Sequence, residues 1–298
     1  MDTRRLYISS KDSTQPYPQN EGLTVSLKSA IIRCEADQNL AVSLVRAELP
    51  TTLEAITRTT EIGTSATLAI SLLRFEINGS EHILYFNDYD NINVGAGHAR
   101  MIWNLQTTIQ NIVNAINTLS GGDLTFNSDA AGNRLQTTAD TFVFSSKSSK
   151  RAMRALGLYT TDFVFTTVSP GVPAPYEYNL SNALPVLYIS TNLAVRSFTS
   201  RNGGNMQNIL GSIPLSVDSQ VNGYKLLAKD LGSIDAETIA IPAGINYINV
   251  SNSGSHKPIG QSTISSLTLL LQDSEGRPVG TGMNSWSCTL EVKTVSAI

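Results

Sequence analysis

The chain is short of the residues that mark a catalyst. Its 298 residues include three histidines and two cysteines. His82 lies in a strand pattern, and His98 and His256 lie in Gly/Ser-rich loops. None stands in H-E-x-x-H or at metal-ligand spacing from a cysteine. No G-x-S-x-G elbow is present. Cys34 and Cys288 lie near opposite ends, which is neither a disulfide framework nor a zinc pattern. Cys288 shares its parity with Trp286, Leu290 and Val292 and reads as a buried apolar thiol. The residues therefore predict no catalytic group, no metal ligand and no cofactor, and they single out no binding residue.

Charge is scarce as well. Asp, Glu, Lys and Arg make up 15% of the chain, against about 25% in an average soluble domain. Ser, Thr and Asn take their place, so the surface can be covered by another subunit with few ions to desolvate. The net charge is −3 with no basic stripe, which predicts no nucleic-acid partner. No apolar run approaches the ~18 residues of a membrane span. The opening "MDTRRLYISS" has no apolar h-region, so no secretory signal is expected. Without one, the glycosylation matches at Asn78, Asn179 and Asn249 read as chance.

Three faint motifs need weighing. Asp88 and Asp90 in "NDYDNIN" have a calcium-loop look, but the loop's Gly and Glu are missing, and a polar turn is the better reading. Gly95-x-Gly97 in "GAGHAR" lacks the third glycine of a dinucleotide fingerprint and any Walker lysine. Lys147, Lys150, Arg151 and Arg154 form a local basic cluster that reads as a solvated helix face.

What the sequence has is strands. "LTVSL" (23–27), "AIIRC" (30–34), "LAVSLVRAELP" (40–50), "SATLAISLLRFEI" (65–77) and "EHILYF" (81–86) alternate or run apolar, with Asn78-Gly79 a hairpin turn. "PVLYIST" (185–191), "ILGSIPLSV" (209–217), "SLTLLLQ" (266–272) and "SWSCTLEV" (285–292) repeat the pattern. "KLLAK" and "INYINV" are weaker. Between the two sets, Leu105, Ile109, Ile112, Val113, Ile116 and Leu119 fall on one helical face that ends at Gly121-Gly122. Strands at 124–127 and 141–145 follow as a hairpin turning at "AAGNRL", then a Ser-capped helix stopped by Gly157. This predicts a mainly β chain: a single jelly-roll antiparallel β-sandwich with an inserted α+β subdomain. Its parts are an N-terminal arm (1–21), the jelly roll (22–80 and 185–298) and the insertion (81–184). A jelly roll lays its first and last strands side by side. The closing strand is therefore expected beside residues 23–34, with Cys34 and Cys288 on neighbouring strands. Leu270, Leu44 with Val45, and Leu72 with Leu73 put apolar residues on both faces of their strands. That calls for cover from the insertion or a neighbouring subunit, or for β-bulges.

Five stretches in this order carry a resemblance: "LYISSKDST" (6–14), "VSLVRAELPTT" (42–52), "LGLY" (156–159), "ILGSIPLSV" (209–217) and "LQDSEGRPV…NSWSCTLEV" (271–292). Together they resemble the penton proteins, the minor capsid proteins of virophages and polinton-like (maverick) viruses. The resemblance runs from about residue 6 to 293. It implies a virion protein, assembled inside the host cell in the cytoplasm. It also implies a homopentamer that plugs the fivefold vertices of an icosahedral shell, among trimers of a double-jelly-roll major capsid protein. It brings no catalytic residue. The Arg-Gly-Asp loop of adenovirus-type pentons is missing here; "SRNGGN" (200–205) is only a Gly turn. Two other readings remain: an attachment or carbohydrate-binding β-sandwich module, which needs exposed aromatics in a row, and a cupin-like metalloenzyme, which needs clustered histidines.

Overall fold

The computed structural model describes residues 3–27, 31–57, 71–87, 96–127, 132–159, 166–193, 195, 208–215, 244–248 and 256–296. The chain divides into two compact units, one of Met1–Leu53 with Pro185–Ile298 and one of Glu54–Leu184. The first chain segment carries β1 (Thr3–Ser9), β2 (Gly22–Ser26), β3 (Ile32–Arg33) and β4 (Gln38–Pro50). The second unit carries β5 (Leu72–Ile77), β6 (Ser80–Phe86), β7 (His98–Met101), α1 (Ile109–Ser120), β8 (Thr125–Asn127), β9 (Arg134–Gln136), β10 (Phe142–Phe144), α2 (Lys150–Ala155) and β11 (Thr166–Val168). The return segment supplies β12 (Val186–Thr191), β13 (Ile209–Pro214), β14 (Gly244–Ile248), β15 (Lys257–Pro258), β16 (Thr263–Ile264), β17 (Ser266–Gln272) and β18 (Ser287–Ser296).

The two-segment unit is a jelly roll, and its strand order shows it. One sheet runs β1-β18-β4-β14, with β15 also on β4; the other runs β13-β12-β17-β2. Every pairing in them is antiparallel. The first strand lies beside the last, the second beside the last but one, and the ribbon so formed folds into two layers. Alternation decides which residues go inside. Leu267, Leu269 and Leu271 of β17 are buried, as are Cys288, Leu290 and Val292 of β18 and Leu40, Val42 and Leu44 of β4. Leu44 crosses to β13, where a Cβ on Gly211 would stand 2.7 Å from its Cδ2. A glycine there lets the two layers close.

Strands with apolar residues on both faces find two different solutions. In β4 the register against β18 slips between Thr289 and Leu290, leaving Val45 as the extra residue of a bulge. On β17, Leu270 turns to the outer face and is covered by the chain's own N-terminal segment. A Cβ on Gly22, its partner in β2, would lie 2.6 Å from both Leu270 Cδ2 and the Tyr17 ring. Tyr17 then joins its hydroxyl to Thr24 Oγ1 at 3.0 Å.

These contacts correct three expectations. Residues 1–21 are not simply an arm: Thr3–Ser9 forms β1, and residues 13–17 bond along the outer edge of β2. The closing strand pairs with β1 and β4, while 22–26 pairs with β17. The cysteines are accordingly not neighbours. Cys34 donates to the carbonyl of Gln38, opposite Ser296, whereas Cys288 lies opposite Ala47. Eight residues of β18 separate those points, about 26 Å. Both thiols are free, and burial pushes that of Cys288 up to about 12.

The inserted unit packs helices on a five-stranded sheet, β11-β10-β5-β6-β7, in which β6 and β7 are parallel. Phe75, Phe142, Phe144, Phe86 and Trp103 form its core with Ile112, Val113 and Ile116 of α1. The helix starts where Thr108 and Asn111 exchange capping bonds, later than its apolar period begins, and ends at Gly121 in the left-handed region. Ser149 caps α2. The Asn78-Gly79 turn has φ of 50° and 78°, as a type I′ hairpin requires. Because β5 pairs with β6 and β10, the strand ending at Ile77 belongs to this unit, and the boundary falls at Leu53 rather than residue 80. The hairpin of 124–127 with 141–145 is also corrected. β8 pairs with β9, and β10 pairs with β5 and β11, because "RLQ" is itself a strand. "KLLAK", most of "SATLAIS" and the end of "INYINV" lie outside the described residues.

Candidate functional site

The outer side of the closing strands brings charged side chains of distant segments together. Alternation on β1 buries Ile8 and turns Arg5 and Tyr7 outward, with Tyr7 69% exposed. Arg5 lies opposite Glu291 of β18, and its Nε donates to Glu291 Oε2 at 3.1 Å. The second oxygen of the same carboxylate is 3.2 Å from Nε2 of His256, which precedes β15. One carboxylate thus lies between side chains from β1 and the segment entering β15. Lys257 follows and donates its Nζ to the Ile209 carbonyl of β13 at 2.7 Å, and burial lowers its pKa.

At the other end of β18, Trp286 fastens the N-terminal segment. The indole is buried, and its Nε1 donates to the Asn20 carbonyl at 2.8 Å. Its amide donates to Ser10 Oγ at 3.0 Å, and its carbonyl accepts from the Ser10 amide at 2.9 Å. Asn20 in turn donates to the Met283 carbonyl, and Thr281 donates to that of Gln19.

Two polar centres hold the inserted unit. Asn87 is 1% exposed with φ of 50°. Its amide nitrogen donates to the carbonyls of Ile56 and Trp103, and its oxygen accepts from the Trp103 amide at 2.9 Å. Asp123 accepts from the hydroxyls of Thr137 and Thr138 and from the amides of Thr138, Ala139 and Asp140. Desolvation acts to raise its pKa, but these donors together outweigh it and hold the carboxyl well below the usual carboxylate range. Its stabilisation is therefore complete above the unfolded value of about 3.9 and is lost as pH falls further. Asp123→Asn is expected to cost about 2 kcal/mol at pH 7. The gap from wild type should narrow progressively as pH falls below 4, as read by urea unfolding at pH 7 and at a series of acid pH values.

The residues singled out in the sequence do not converge. His82 stacks on Phe75 with ring centroids 5.5 Å apart. His98, expected in a loop, is in β7 and meets Tyr85 edge-on. His82 and His98 are on adjoining strands but on opposite faces of the sheet, and His256 belongs to the jelly roll. Asp88, Asp90 and Gly95 lie outside the described residues. Gly97 takes φ of 81° before β7. Lys147, Lys150 and Arg154 are exposed around α2, Arg151 is half-buried, and the Arg154 guanidinium sits 5.0 Å over the Tyr159 ring. Among the described residues, no three His, Cys, Asp or Glu side chains gather as a metal site needs. No helix there is long and apolar enough to cross a membrane. Sequence reading missed Glu291, Asn87 and Asp123. The only signal for the last was its place ahead of the Thr137-Thr138 pair it binds.

Neither a protein-family model nor a curated protein matches the chain. Among solved structures, it is similar to the selenomethionine-labelled mavirus penton protein. The TM-score is 0.46 and the identity 12%, over 99% of this chain and 100% of that one. The jelly-roll assignment rests on the strand order itself.

Proposed function

We propose that this chain is a structural subunit of a viral shell, a single-jelly-roll penton, rather than an enzyme. The observation that carries the reading is the pairing of β1 with β18 and of β2 with β17 in a two-layered roll, with an α+β unit spliced between β4 and β12. The sequence resemblance supports it. Residues 6–14, 42–52 and 284–292 carry resembling stretches, and they overlap β1, β4 and β18, of which β18 pairs with both of the others. Low charge supports it too, since flanks rich in neutral polar groups are cheap to bury.

In this reading, copies meet by heterologous contacts between the flanks of neighbouring rolls, and the ring closes at five. The pentamer fills a fivefold vertex of the virion among double-jelly-roll trimers, after assembly in the host cytoplasm. A carbohydrate platform built on tryptophan is disfavoured, because Trp103 and Trp286 are both buried. Among the described residues, the exposed tyrosines are Tyr7 and Tyr176, which belong to different units. Native mass spectrometry of the full chain is expected to show a species of five times the chain mass. A monomer at every concentration, and in purified particles, would remove the proposal.

A further inference from the structure

His256 is placed unlike the other histidines. Its side chain is only 9% exposed, and neither ring nitrogen makes a hydrogen bond of good geometry. Among the described residues, the charged groups around it come from three elements. β1 brings Arg5, which holds Glu291 Oε2; β18 brings Glu291 and Lys293; β15 brings Lys257, whose Nζ is turned to β13. β4 offers Ser43 and Ala41 opposite Glu291 and Lys293, and neither titrates. A proton on His256 would therefore add a cation beside Lys293, with a single carboxylate shared between it and Arg5.

The strand that follows is short, and Ile259 just beyond it is buried and bridges Val195. β15 pairs with β4 over two residues, Lys257 with Val42 and Pro258 with Ala41. Pro258 has no amide hydrogen to give. The next bond is from the Ile259 amide to the Leu40 carbonyl at 2.9 Å. Opening this strand is a local event that breaks these backbone bonds, the Val195 bridge and the Lys257 bond to Ile209.

We propose that His256 is an acid-operated latch: uncharged, it seats β15 on β4 beneath the Arg5–Glu291 pair, and protonated, it releases that strand. Burial is the main influence lowering its affinity for a proton; Lys293 acts in the same sense and Glu291 opposes them. The sign follows. The seating energy is complete above the ordinary histidine value of about 6.5 and is lost as pH falls through the range below it. Nothing in this depends on what the chain assembles with.

The test uses the full chain. The His256 imidazole is titrated by proton–carbon NMR, and amide exchange at Ile259 is expressed as protection over the unstructured rate at each pH. The expected result is a midpoint below 6.5 and a loss of Ile259 protection of about three-fold or more between pH 7.5 and 5. Leu271 and Val279 should hold theirs. His256→Gln should abolish the pH dependence. A midpoint at or above 6.5 overturns the proposal, as does an unchanged decline in the glutamine variant. If that variant does not fold, the wild-type titration decides alone.

Discussion

Trp286→Ala is expected to unfold the N-terminal side of the jelly roll, at a cost of about 4 kcal/mol. A buried tryptophan cut to alanine loses about 3–5 kcal/mol through lost transfer energy and the cavity left behind. Here the loss is enlarged, because the Asn20 carbonyl loses the indole N–H that serves it. The neighbouring bonds to Ser10 run through the Trp286 backbone and survive only if the strand keeps its place. Guanidinium unfolding of the full chain, followed by far-ultraviolet circular dichroism, measures the cost, and Trp103 fluorescence serves as the control for the inserted unit. Amide exchange in β1 and at Asn20 should accelerate before that in β17. Trp286→Phe, which keeps the ring volume but no donor, should lose about 1–2 kcal/mol. A cost below about 1 kcal/mol for the alanine variant would show that the indole does not fasten this segment.

The second large effect is in the inserted unit. Asn87→Ala is expected to cost about 3 kcal/mol, from three hydrogen bonds broken in a site closed to water. Trp103 keeps one partner, since its carbonyl also accepts from the Ala55 amide at 2.9 Å. The Ile56 carbonyl and the Trp103 amide lose the partner that Asn87 gave them. The decisive comparison is Asn87→Asp. It preserves the shape and the acceptor for the Trp103 amide, yet turns an oxygen toward two carbonyls and buries a charge. It should be at least as destabilising as alanine. Exchange protection across β5, β6 and α1 measures both. An aspartate variant as stable as wild type would mean that the side chain is not clamped as described.

The contrast between these residues shows how much the sequence could say. Trp286 was legible: its parity with Cys288, Leu290 and Val292 marks it as core from the local pattern alone. α1 was legible as well, since its apolar period and Gly121-Gly122 are local. Only its start moved, because Thr108 finds Asn111 three residues on. Asn87 was not. In "NDYDNIN" it reads as one more polar turn residue, and its three partners come from Ile56 and Trp103, far away in the chain. His256 looked like a loop residue for the same reason: Glu291 is out of reach of any local pattern.

The sequence by itself determined that the chain is mostly strands, which residues of most strands face a core, where the helices end, and that an α+β insert interrupts a roll. Those follow from local periods of two and 3.6, and from Gly, Asn and Ser at turns and caps. The tertiary structure alone decided the partners: that Thr3–Ser9, not residues 23–34, lies beside the last strand, that β5 joins the insert, and that the two cysteines stay apart. The reason is that every strand offers the same backbone donors and acceptors. Alternation fixes which face is buried, but the choice of neighbour is made only when side chains from distant segments pack into one interior.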